Sequence, residues 1–129
     1  MLRLLLDAHF GSREVEAIHA RDPDLDVTSM QEWEGGAFLE AEDALILLEA
    51  YRQSRTLVTR DLRTITPMLH EWGAAGVHHG GVVFVDNHSF PEGNVGVVMQ
   101  ALLALWQQRV NDDWTDVAHY LRPLMDAHR

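Results

Sequence analysis

Three aspartates each stand at the end of an apolar run. Asp7 follows Leu4-Leu5-Leu6, Asp61 closes Leu57-Val58-Thr59-Arg60, and Asp86 closes Gly81-Val82-Val83-Phe84-Val85. A further acidic group, Glu40, Glu42 and Asp43, opens an apolar helical pattern. Taken singly, each has an ordinary explanation: aspartate is a common turn residue, and a carboxylate at a helix start is favoured by the dipole. Chemistry would come from their convergence. Carboxylates gathered at one place repel unless one is protonated or a hard cation lies among them. Such oxygen ligands select Mg²⁺ or Mn²⁺.

Convergence requires a particular architecture. Apolar runs without alternation suggest strands buried on both faces of a parallel sheet. All carboxyl ends of such a sheet lie on one edge, where ligands bind. Asp7 and Asp61 then meet if their strands are neighbours, with Asp43 approaching from a helix. The remaining pattern agrees. Strands are expected at about residues 2–6, 25–29, 56–59 and 81–85, and helices at about 13–20, 41–53 and 64–72. Leu45, Leu48 and Tyr51 mark the middle helix at helical spacing. Pro67 places the start of the next helix near Thr64 or Thr66, because proline is tolerated in a first turn. Alternating strands and helices imply a three-layer α/β/α sandwich around a short parallel sheet.

Beyond about residue 90 the pattern turns helical. Val95, Val98, Leu102, Leu105 and Trp106 predict one long helix, and Trp114, Val117, Leu121 and Leu124 predict a second. The expectation is a single domain over residues 1–129, with a core of about 1–90 and a C-terminal helical pair over about 93–126. The apolar side of that pair would pack on the core or form a homodimer face.

Composition narrows the function. The chain has no cysteine, which removes disulfides, thiolate metal sites and cysteine nucleophiles and fits a cytoplasmic protein. All ten basic residues are arginine. The absence of lysine removes Walker-type phosphate loops and Schiff-base chemistry. It also counts against a receiver-like signalling domain, which relies on a lysine beside its phosphoaspartate. The net charge of −10 gives no general basic field for nucleic acid, so any such role needs local arginines, a metal ion or a partner. No apolar stretch approaches the length that spans a bilayer. His9, His78, His79 and His88 show no HExxH-type spacing and are expected as surface or loop residues.

The succession Leu4-Leu5-Leu6-Asp7-Ala8, Glu42-Asp43-Ala44-Leu45-Ile46-Leu47, Leu57-Val58-Thr59-Arg60-Asp61 and Gly81-Val82-Val83-Phe84-Val85 resembles PIN-like proteins. It is most similar to the short bacterial PIN-like family often paired with an antitoxin, over roughly residues 2–86. The resemblance implies a PIN-like fold and, for active members, metal-dependent ribonuclease activity. Asp7, Asp43 and Asp61 would be the metal-binding catalytic acids, with Glu42 as an alternative to Asp43. The family often carries a further acid two residues after the strand-end aspartate. Here that position is Arg63, and Asp86 is the acid available to substitute. Arg13, Arg60 and Arg63 lie near the same edge as candidate phosphate contacts. The expected partners are single-stranded or structured RNA and an antitoxin protein. The competing reading is a non-catalytic PIN-like interaction module, which the net acidity and Arg63 favour.

Overall fold

The computed structural model describes residues 1–124 as an α/β fold. Its strands are β1 (Leu4–Leu6), β2 (Val27–Ser29), β3 (Thr56–Thr59), β4 (Val82–Phe84) and β5 (Ala118–Tyr120). Its helices are α1 (Ser12–Arg21), α2 (Asp43–Arg52), α3 (Leu62–Ala75) and α4 (Val95–Arg109), with a 3-10 turn at Trp33–Gly36. Every neighbouring strand pair is parallel, in the order β2-β1-β3-β4-β5. The chain leaves β1 for β2 on one side and then crosses to β3 on the other. The winding direction therefore reverses between β1 and β3, and a crevice opens at their carboxyl ends. Those two strands are neighbours, the condition for Asp7 and Asp61 to meet, with Leu4 opposite Thr56 and Leu6 opposite Val58.

Successive strand residues point to opposite faces. Leu4 and Leu6 join Val15 and Ile18 of α1 and Val98 and Leu102 of α4 in one core. Leu5, Leu57 and Phe84 join Ile46 and Leu47 of α2 and Ile65 of α3 in the other. The sheet is thus the middle layer of three. Both its faces are covered, which is why β1 and β4 read as unbroken apolar runs and β3 sets Leu57-Val58 between two buried threonines. Leu4, Leu5, Leu6 and Val58 have no exposed surface. Burying each such side chain contributes about 1.5–3 kcal/mol.

The expected C-terminal helical pair is half right. α4 forms, but the second helix does not: residues 118–120 add to the sheet as β5, with Ala118 opposite Val82 and Tyr120 opposite Phe84. Trp114 is buried in the turn that leads there. Its Nε1 donates to the Arg109 carbonyl at 3.1 Å, and the Arg109 guanidinium stacks 4.6 Å above its ring. Asp116, with φ of 62°, then breaks any helical path. The last two residues of the expected pair lie outside the described residues.

Two helices differ in detail. α2 buries Ile46, Leu47 and Ala50, whereas Leu45, Leu48 and Tyr51 are exposed. α3 begins at Leu62, capped by Asp61, so Pro67 stands in its second turn. The Arg63 carbonyl, which a Pro67 amide would otherwise bond, belongs to an exposed residue.

Candidate active site at the carboxyl edge of the sheet

Asp7 is carried one residue past β1 by continued pairing, its amide donating to the Val58 carbonyl at 3.0 Å. Its Oδ1 accepts the His9 amide at 3.0 Å, which closes the turn after the strand. Asp61 leaves β3 in the same direction. Its amide donates to Thr59 Oγ1 at 3.0 Å, and its Oδ1 accepts the Thr64 amide at 3.1 Å, capping α3. Asp43 opens α2, which is anchored to the sheet by Ile46 and Leu47. The three carboxylates, from three separate segments, line one cavity of about 140 Å³ with His9, Met30 and Thr59.

The field in that cavity is negative. Burial, then the charge of Asp61, then that of Asp7, push the Asp43 carboxyl above the ordinary aspartate range. No three His, Asp or Glu side chains among the described residues stand close enough together to ligate one ion. The acids thus share a cavity and a field without forming a closed ligand cage.

The other expected residues are placed differently. Glu42 is exposed at the N-cap of α2 and does not line the cavity. Asp86 is also outside it; its Oδ1 accepts the Ser89 amide at 2.6 Å, and that bond holds its carboxyl below the usual range. Asp86 therefore does not join Asp7, Asp43 and Asp61 at the cavity. Arg13 and Arg63 are exposed on α1 and α3, away from the lining. Arg60 is held beside the cleft. Its guanidinium lies 5.7 Å from the Phe10 ring centre, and Nη1 donates to Asn87 Oδ1 at 2.8 Å and to the Phe90 carbonyl at 2.6 Å. It lines a second cavity of about 250 Å³, which shares His9 with the acidic one. The sequence marked His9 only as a loop histidine; its place as a common wall follows from the turn that Asp7 closes.

A larger cavity, about 330 Å³, lies near the amino ends of β4 and β5 and is lined by His70, His78, His79 and Asp116. Most of its polar groups bond one another. His78 Nδ1 is 2.7 Å from Asp116 Oδ2, the His79 amide donates to Asp116 Oδ1, and the Asp116 amide donates to the His79 carbonyl. This lattice ties the start of β5 to that of β4, a structural task that accounts for it. Asp116 was not singled out by any motif.

No family model, curated protein or solved structure matches the chain. No helix among the described residues is long and apolar enough to cross a membrane.

Proposed function

We propose that the acidic cleft is the hydrolytic site of a metal-dependent ribonuclease of the PIN-like, toxin-antitoxin type. The observation that supports this reading best is that Asp7, Asp43 and Asp61 face one cavity at the point where the sheet reverses. All three donors are carboxylates, the chemistry a hard cation takes, and burial together with the charges of Asp61 and Asp7 raises the pKa of Asp43; closing on one ion requires the three to draw together from where they stand. Asp7, Asp43 and Asp61 would hold Mg²⁺ or Mn²⁺, which supplies Lewis acidity toward a phosphodiester and lowers the pKa of bound water. Asp61 and Asp7 are fixed by backbone hydrogen bonds, so their oxygens are oriented before any ligand arrives. Arg60 supplies local positive charge that the chain as a whole lacks. RNA is the substrate in this reading, and an antitoxin protein the regulator.

The test has two parts. Millimolar Mn²⁺ should raise the melting temperature, by mass action worth about 2.7 kcal/mol at one hundred times its dissociation constant. Asp61→Asn should abolish most of that rise, and its amide oxygen can still cap α3. Purified protein should also cut RNA with Mn²⁺, and cleavage should stop with chelator or with Asp7→Asn. A melting temperature indifferent to Mn²⁺, with no cleavage, would leave these acids as turn and cap residues.

One observation favours the interaction-module reading: α2 exposes Leu45, Leu48 and Tyr51 on its outer side. The occupant that suits this face is a second copy of the chain. Two α2 helices packed antiparallel would set Leu45 against Leu48 and the acidic start, at Glu42, near the exposed Arg52. Val98 and Leu102, expected to pack on the core or join a dimer face, are buried within the monomer.

A further inference from the structure

The cavity beside the acidic cleft carries groups of opposite charge that do not pair. Arg60 and Glu92 both line it, and no ion pair joins them among the described residues. Arg60 spends only Nη1 on the protein; its Nε and Nη2 make no hydrogen bond to a described residue. Phe10, stacked under the guanidinium, and the carbonyl of Phe90 hold that group in place without neutralising it. Val95 and Val98 form an apolar wall, and Glu14 keeps one carboxylate oxygen on the Gly11 amide at 2.6 Å. The site therefore offers free guanidinium donors, a free carboxylate and apolar surface in about 250 Å³, space suited to a planar ring rather than an extended chain.

We propose that this cavity is a guanine-binding subsite. Guanine carries two adjacent acceptors, O6 and N7, which a guanidinium meets with two parallel donors. Its N1–H and N2–H₂ donors suit a carboxylate such as Glu92. Adenine has no acceptor beside N7, and uracil and cytosine leave one of the two charged groups without a full complement. The two carboxylates disfavour a phosphate inside the cavity itself. A nucleotide's phosphate therefore stays outside, and only a metal ion among Asp7, Asp43 and Asp61 would admit it to the acidic cleft on the far side of His9, the residue common to both cavities. This placement rests on the nuclease reading, but guanine recognition does not.

The experiment is a titration of the metal-free, full-length protein with 5′-GMP, 5′-AMP, 5′-CMP and 5′-UMP, followed by amide NMR or calorimetry. The expected result is a preference for 5′-GMP of about tenfold or more over 5′-AMP, because adenine lacks both the O6 acceptor that Arg60 meets beside N7 and the N1–H and N2–H₂ donors that Glu92 accepts. Glu92→Gln should reduce that preference by removing the charged acceptor for N1–H and N2–H₂; Glu92 is exposed and makes no contact on which folding depends. Arg60→Gln should remove binding, and its folding is checked by circular dichroism because Arg60 also holds Phe90. A single-stranded RNA with one guanine that binds more tightly than 5′-GMP identifies RNA as the source of the base; tighter 5′-GMP binding identifies a free nucleotide. Equal affinity for the four nucleotides, no binding at millimolar concentration, or a preference untouched by Glu92→Gln overturns the proposal. Cleavage is not read, so the two readings fail separately: guanine binding without RNA cleavage rejects only the nuclease.

Discussion

The backbone amide of Gly81 donates to Nδ1 of His79 at 3.0 Å, a bond that only an unprotonated Nδ1 accepts. His79 is 5 % exposed, and burial depresses its pKa. The folded protein therefore binds a proton at His79 less readily than the unfolded chain. Stability from this residue is present above about pH 6.5 and lost as pH falls through the depressed value. Melting temperatures should fall between pH 7.5 and pH 5. In His79→Asn the side-chain oxygen can replace Nδ1 as acceptor, and that acid-side loss should shrink. An unchanged pH profile in this variant would show that another group controls it.

Asp43 has the opposite sign. Its raised pKa means that the folded state holds a proton that the unfolded chain has released. Relative to Asp43→Asn, the wild-type protein should lose stability as pH rises from about 4 through the raised value. Denaturant titrations of both proteins across that range, without divalent metal, give the difference directly. A difference independent of pH would mean that neither burial nor the charges of Asp61 and Asp7 act on Asp43.

Gly80 lies where no side chain fits. A Cβ there would stand 2.3 Å from the Arg55 carbonyl oxygen, a backbone atom of the segment leading into β3. Gly80→Ala should cost about 3 kcal/mol and lower the melting temperature by roughly 10 °C. Gly73, in α3 with open space around it, is the control: Gly73→Ala should stabilise by about 0.5–1 kcal/mol. Thermal melts of the two variants should move in opposite directions.

The outer side of α2 predicts self-association. Light scattering at high micromolar concentration should give a dimeric mass for the wild-type chain and a monomeric one for Leu48→Glu. Leu48 is 45 % exposed, so this change should alter monomer stability by no more than about 0.5 kcal/mol. A monomeric wild-type protein, or a dimer indifferent to Leu48→Glu, would rule out this face.

Local sequence determined the elements whose burial is complete. Leu4–Leu6, Leu57–Val58 and Val82–Val85 are apolar at every position because both sheet faces are covered, and the strand-end aspartates follow directly from them. Those runs put Asp7 and Asp61 on one edge of a parallel sheet, and the strand order, with β1 beside β3, made them meet. β5 could not be read from such a run. Ala118 and Tyr120 are exposed and His119 half-buried, so no apolar signal marks the strand, and pairing with β4 alone makes it one. The inward face of α2 was equally hidden. Leu45, Ile46, Leu47 and Leu48 are all apolar, and only contact with the sheet selects Ile46 and Leu47 for burial. Tertiary structure also decided which charged residues share a cavity. It admitted Asp43, excluded Glu42 and Asp86, and turned Arg60 and His9 toward a second cavity. Hydrophobic periodicity records what a residue does within its own element, whereas the meeting of side chains from different elements depends on how those elements pack.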